Sequence, residues 1–327
     1  MMRTKLVSFS YAAGGTISQD LTPPDGVLLG VHCRLRGTFT AIGATANEDP
    51  WINTVARLNI SIPLPKGGYV SYDVRPKRMA WAGRWVSGQN LAKLLLTAAG
   101  SFDAFEIPFV PQNKFMKNPD MWGVPVTDQN RKITIRGTFG ALTDHAVDTS
   151  AISSTLDIAF NYVPHTASRH PRQFLTYELN SFDASNDAAV TNREIVFDKN
   201  SFAAYMLVAS QHDDSTLDRV NGLVKELTIR HGGNVLYDND KWTFFRDTAF
   251  SQLELNDVQG NSISVSSAGT CGIILGDVTD PRKLLDLRRG SVSIDFDPVP
   301  ASDTGITDVT PAANDLFDVV AVGVGVS

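Results

Sequence analysis

The residues of this chain best suited to chemistry are few and scattered. The stretch WAGRW sets Trp81 and Trp85 on either side of Arg84, with Arg78 just upstream. Aromatic faces beside guanidinium groups can stack sugars or unpaired bases. The same pairing of Trp and Arg is favoured where subunits meet, and we read Trp81, Arg84 and Trp85 as subunit-interface residues. The stretch QHDDSTLD groups His212, Asp213, Asp214 and Asp218, oxygen-rich side chains of the kind that hold calcium. It lacks the regular ligand alternation of a calcium loop and reads as a polar turn. His165 and His170 in HTASRH would meet on a metal only if the loop folded back, so a solvated linker is the simpler reading. None of the six histidines pairs with another at helical zinc spacing. No metal site is expected.

Nucleophiles and phosphate cradles are equally hard to find. The nucleophile elbow G-x-S-x-G does not occur. AAGGTIS (12–18) and VGVGV (322–326) lack the glycine spacing and the strand-to-helix setting of a phosphate loop. Carboxylates on strand-like stretches include Asp157, Asp295 and Asp297, and solvated sheet faces explain them most simply. A pair of acids for sugar hydrolysis would come from distant strands, so spacing alone leaves that chemistry open. Cys33 and Cys271 stand without metal-ligand neighbours and read as two buried thiols. We expect no catalytic residue, no cofactor and no small-molecule substrate.

Composition narrows the class. In 327 residues only 20% are charged and the formal net charge is -6, which argues against a strongly basic nucleic-acid binder. No apolar run approaches the roughly 20 residues of a membrane helix. Arg3 and Lys5 precede LVSFSYAA in the manner of a weak export signal, but Ser8 and Ser10 interrupt the apolar stretch. We read it as mature protein and expect no secretion.

The elements that must position these residues are strands. VLLGVHCRLRGTFTAI (27–42) alternates, with Leu29, Val31, Cys33, Leu35, Gly37 and Phe39 on one side and Leu28, Gly30, His32, Arg34, Arg36 and Thr38 on the other. Successive side chains of a strand point to opposite faces, so this pattern predicts a strand with one core face. RLNISI (57–62), YVSYDV (69–74), RKITIRGTF (131–139), STLDIAFNYV (154–163), VKELTI (224–229), SISVSS (262–267) and GSVSIDFD (290–297) alternate likewise. Gly, Pro, Asn and Asp clusters end them, as turns require. Two short helices are expected. One has Ser87 as cap and Gly100 as stop, with Leu91, Leu94, Leu95, Ala98 and Ala99 on one face. The other spans DPRKLLDLRRG (280–290), with Asp280 as N-cap and Arg288 and Arg289 near its negative end.

The chain also repeats itself. KGGYVSYDV (66–74) and HGGNVLYDN (231–239) share Gly67/Gly232, Gly68/Gly233, Val70/Val235, Tyr72/Tyr237 and Asp73/Asp238. Leu58 and Leu223 stand at the same offset. ITIRGTF corresponds to SVSIDF, with Ile133 opposite Val292, and LDIAFNYV corresponds to FDVVAVGV, with Asp157 opposite Asp318. Landmarks in one order at nearly one spacing point to tandem duplication, with the hinge in VPHTASRHPRQF (163–174). The fold class expected is mainly β, two tandem eight-stranded jelly-roll β-sandwiches with short accessory helices. Their expected limits are 1–165, an N-terminal arm and first jelly roll, and 166–327, the second.

Two similar β halves, a short N-terminal arm and a helix among the strands resemble the double jelly-roll major capsid proteins of tailless icosahedral viruses, including bacteriophages that hold an internal membrane. The resemblance implies a structural protein and not an enzyme. Its homotrimers would form pseudo-hexagonal tiles of a virion shell, made in the host cytoplasm and joined by penton and minor capsid proteins. It further implies an inward face, with the basic start MMRTK near an internal membrane or the viral genome. A phage receptor-binding or carbohydrate-binding tandem β-sandwich is the alternative, and a β-sandwich glycosidase stands behind both.

Overall fold

Alternation in the sequence becomes strand after strand in the structure. The computed structural model describes residues 3–39, 54–76, 78, 79, 82, 100–109, 122–126, 130–141, 152–164, 173–185, 189–198, 201–212, 218–219, 223–241, 269–276, 280–298 and 315–326. These divide into two compact units, residues 1–176 with 325–327, and residues 177–324.

The first unit contains β1 (Arg3–Ser10), β2 (Thr16–Leu21), β3 (Gly26–Phe39), β4 (Val55–Pro63), β5 (Tyr69–Val74), β6 (Gly100–Phe109), β7 (Val124–Val126), β8 (Ile133–Phe139) and β9 (Ile152–Pro164). One sheet has the order β1-β9-β3-β6, with β7 also on β3, and the other has the order β2-β8-β4-β5. The chain alternates between the sheets except where β5 follows β4 and β7 follows β6. That winding is the jelly roll. Its core is apolar and closed: Ile17, Leu28, Leu58, Ile60, Ile62, Tyr72, Ile135, Ile158 and Phe160 expose nothing.

The second unit repeats the winding. It contains β10 (Gln173–Asp183, its first residues counted with the first unit), β11 (Val190–Ile195), β12 (Ser201–His212), β13 (Asp218–Arg219), β14 (Val224–His231), β15 (Asn234–Lys241), β16 (Thr270–Ile274), β17 (Val292–Pro298) and β18 (Leu316–Val326). Its sheets run β10-β18-β12, with β13 and β16 on β12, and β11-β17-β14-β15. Met206, Val208, Leu227, Ile229, Ile273, Ile294, Phe296, Phe317, Val319 and Ala321 form one buried cluster between them. The rings of Phe296 and Phe317 sit 5.0 Å apart within it.

Register makes the twin relation residue by residue. Ile60 lies opposite Tyr72 and Ile135 in the first unit, and Ile229 lies opposite Tyr237 and Ile294 in the second. Leu58 therefore corresponds to Leu227, and not to Leu223 as the constant spacing suggests. The physical reason is the hairpin. His231 pairs directly with Asn234 around Gly232 and Gly233, whose φ values of 55° and 86° are those of a two-residue primed turn. In the first unit Leu64–Gly68 spans the same gap, so the strand before the turn shifts in number while the strand after it does not.

A polar clamp is also repeated. Ser8 Oγ donates to Asp157 Oδ1 at 2.6 Å, tying β1 to β9, and Ser181 Oγ donates to Asp318 Oδ1 at 2.5 Å, tying β10 to β18. Asp157 also accepts from Arg36 of β3. Asp157 is 5% exposed, which corrects its reading as a solvated strand residue; it is a buried carboxylate held by a hydroxyl and a guanidinium.

Other expectations need correction. A register shift between Leu28 and Gly30 moves Leu28 onto the core face of β3, leaving Leu29 only half-buried. The stretch 280–290 is not an α-helix but two 3₁₀ turns, Pro281–Lys283 and Leu287–Arg289. Asp280 and Asp286 each cap one, accepting from the backbone N–H of the residue two further on, so the chain restarts at Asp286 instead of propagating. Arg3 and Lys5, expected in a free arm, are the first residues of β1 and pair with Tyr162 and Phe160. The helix expected after Ser87 and the strand SISVSS lie outside the described residues.

Two substitutions test this account. Replacing Asp157 by Ala leaves Arg36 and Ser8 without their shared acceptor, and should cost about 1–3 kcal/mol in urea unfolding. Tyr205 is 2% exposed and its hydroxyl finds no partner among the described residues, while burial pushes the phenol's pKa up. Tyr205→Phe should hold the unfolding midpoint or raise stability by up to about 1 kcal/mol.

Candidate assembly surfaces

Several of the groups singled out in the sequence are held inside the two units. Cys33 and Cys271 are unbridged thiols with no exposure, inside their respective cores. Asp295 accepts from Arg230 Nε at 3.1 Å and from the Asn192 backbone N–H at 2.5 Å, while Asp297 on the same strand is exposed. His231 places Nε2 3.2 Å from the Asp286 carbonyl. Among the described residues no three His, Cys, Asp or Glu side chains gather as a metal site. No described helix is long and apolar enough to cross a membrane. Trp81, Arg84 and Trp85 lie outside the described residues, as do 165–170 and 213–217.

What the described surface offers is contact area of three kinds. The first is a sheet face. On the outside of β1-β9-β3, Leu6 is 59% exposed. Around it lie Thr4, whose hydroxyl donates to Asn161 Oδ1 at 2.8 Å, and the exposed Arg34 and Arg36. Leu6 stands beside Ala159, and His32 stands beside it from the other flank. Sequence reading passed over this face because Leu6 looked like part of an apolar leader.

The second is a basic end on each unit. In the first, Lys5 Nζ donates to the Thr22 carbonyl and Lys132 Nζ to the Thr22 hydroxyl, each at 2.7 Å. Arg131 donates to the Leu64 carbonyl at 3.1 Å, and its guanidinium sits 4.4 Å above the Tyr69 ring. In the second, Arg282, Lys283, Arg288 and Arg289 occupy one short segment, and the side chains of Arg282, Arg288 and Arg289 are 79–89% exposed. Arg282 and Arg288 are each forked onto the aspartate two residues before, Asp280 and Asp286. This fork fixes the outward direction of both guanidiniums.

The third is the tip of the β14–β15 hairpin, where Val235 and Leu236 are 45% and 38% exposed. Val70, the twin of Val235, is 1% exposed. The difference is a slip of register between Ile229/Tyr237 and Arg230/Val235. That bulge turns Val235 to the face of Arg230, whereas Val70 faces Ile62 in the core.

The forked pair makes a pH prediction. Hydrogen bonds from Arg288 hold the Asp286 carboxyl down at about 2. A depressed carboxylate contributes in full above its ordinary value near 4, and that contribution fades as pH falls toward 2. The Arg288 Nε–H resonance should therefore shift with a midpoint near pH 2, and Arg288→Gln should return the Asp286 titration toward its ordinary range.

With the fold and surfaces in hand, the likenesses to known proteins are informative. No protein-family model matches the chain, and no curated protein matches it in sequence. Among solved structures, the crystal structure of the STIV MCP aligns over 99% of this chain and 97% of its own, with TM-score 0.64 and 13% identity. PBCV-1 VP54, as fitted into a reconstruction of the virophage Sputnik, aligns over 99% and 94%, with TM-score 0.65 and 9% identity. The major capsid protein P2 from bacteriophage PM2 aligns over 100% and 98%, with TM-score 0.54 and 12% identity. Identity at this level carries fold and not function, and the alignments run nearly end to end on both sides. This chain therefore has the double jelly-roll fold of those viral capsid proteins, from its first strand to its last.

Proposed function

We propose that this chain is the major capsid protein of an icosahedral virus, a structural protein that acts as homotrimers tiling the virion shell. One observation carries the reading: two complete jelly rolls in tandem, twinned to the residue, in a chain that is similar end to end to proteins described as viral capsid proteins. Duplication suits a tile. Three copies of a two-unit chain present six similar corners, and fusing the units lets alternate corners diverge. That divergence is visible where register pairs Arg136 with Asn59 in one unit and Asp295 with Thr228 in the other. Arg136 is held by Asp20, whereas Asp295 is held by Arg230. A basic site in one unit is thus an acidic site in the next.

Partners follow from the same reading. Penton and minor capsid proteins would complete the shell. The basic ends, with Lys5, Arg131 and Lys132 in one unit and Arg282, Lys283, Arg288 and Arg289 in the other, suit an inward face toward lipid or genome. Trp81, Arg84 and Trp85 are proposed as subunit contacts, supported by the preference of Trp and Arg for interfaces.

Purified protein should elute as a trimer that withstands dilution, and negative-stain images should show hexagonal tiles. A monomer at every concentration tested, especially one that binds glycans without assembling, would overturn the capsid reading in favour of a carbohydrate-binding sandwich.

A further inference from the structure

One end of the second unit sets exposed apolar side chains among exposed cations. Strands β11, β17 and β14 finish level with one another there, with Ile195 and His231 both opposite Val292. Val196, just past the end of β11, is exposed, as are Val235 and Leu236, just past the Gly232–Gly233 turn. The segment 280–290 lies against that turn. The Gly232 N–H donates to the Ser291 carbonyl at 3.1 Å, and a side chain at Gly232 would come within 3.0 Å of the Arg289 carbonyl. The exposed Arg282, Lys283, Arg288 and Arg289 therefore share this end with the apolar group. Six large apolar side chains stand exposed among the described residues, and three of them are these. A fourth, Tyr69, lies beneath the Arg131 guanidinium in the first unit. Register makes the two ends correspond: Leu21 is opposite Ile133 as Ile195 is opposite Val292. Thr22, which accepts from Lys5 and Lys132, thus takes the place of Val196. Different residues supply the positive charge in the two units, yet both carry it at this end.

We infer that this end of the second unit docks on the surface of a lipid bilayer rich in anionic headgroups. Arg282, Arg288 and Arg289 would meet the phosphates, and Val235 and Leu236 the acyl boundary beneath them. The inference rests on the capsid reading and deepens it by naming the residues and the lipid chemistry. Forking leaves the guanidiniums ready for a second anion. Arg282 and Arg288 each commit Nε and Nη2 to an aspartate, which leaves the Nη1 amino group of each for a headgroup phosphate. The aliphatic side chains decide between lipid and nucleic acid. Unpaired bases stack on aromatic rings and a duplex presents phosphates, and neither has a place for Val235 and Leu236. A bilayer offers both layers, phosphate at the surface and hydrocarbon directly below.

The test floats the purified protein with vesicles of phosphatidylcholine, alone or mixed with phosphatidylglycerol, and follows the oligomer by light scattering. Wild type should float with the anionic vesicles only and release them in high salt, because exposed charges are screened. Arg288→Gln with Arg289→Gln should weaken binding about tenfold, while the corresponding double change to Lys should keep most of it. Val235→Ser with Leu236→Ser should weaken it as well. Arg57→Gln is the control: its side chain is 54% exposed and lies at the far end of β4 from the Leu64–Gly68 turn, so binding should not change. Both native cysteines are buried, so an environment-sensitive dye on Leu236→Cys reports on that position alone, and its emission should move to the blue on anionic vesicles. Trimers that ignore those vesicles, or whose binding survives both weakening double variants, overturn this surface and leave the capsid reading standing. Binding to DNA that outlasts Val235→Ser with Leu236→Ser, with no blue shift on vesicles, overturns it in favour of the genome. A wild-type protein that never associates overturns the capsid reading itself.

Discussion

Each unit of this protein is closed by its last strand. β9 lies between β1 and β3, and β18 between β10 and β12, so neither sheet is continuous until the end of its unit has returned to the beginning. The constraint is backbone hydrogen bonding: without β9, both β1 and the inner edge of β3 would present unpaired N–H and C=O groups. The clamp from Ser8 to Asp157 spans 149 residues of sequence and that from Ser181 to Asp318 spans 137. Such pairing carries the loop-closure cost of long-range contacts. It makes the first and last strands of each unit depend on one another.

Within that shared frame, the two units differ where their surroundings differ. Ile60 and Ile229 keep the same partners because both sit between sheets, where volume and apolarity are dictated. Val70 and Val235 have parted because one slip of register on an edge strand reverses a side chain's face. Arg136 and Asp295 have parted in charge because each answers to a different local partner. Core twins are therefore held alike by packing, and surface twins differ with their local partners.

The ionisable groups that looked like chemistry are mostly structural on inspection. Asp157 ties three neighbouring strands of one sheet together, Asp280 and Asp286 cap 3₁₀ turns, and Asp295 steadies a bulged strand through Asn192, whose φ is 52°. Each of these four carboxylates accepts from a donor in its own unit.

Much of this was legible in the residues. Period-two alternation located β3, β4, β5, β8, β9, β14 and β17, because a strand buried on one face must alternate. The GGYVSYD and GGNVLYD phrases marked the duplication, because a turn with positive φ tolerates little besides glycine. A further repeat, KLVSFS against ELNSFD, was there to be found, and it aligns the first strands of both units. β12 and β18 alternate poorly because both of their faces are buried, and period cannot tell such a run from a buried helix. Local sequence thus determined that the chain is β-rich, doubled and without a recognisable catalytic motif. Only the tertiary structure decided which face of each sheet is closed and which remains open. Burial of an outer face depends on what the rest of the chain lays over it, and no neighbouring residue in sequence carries that information.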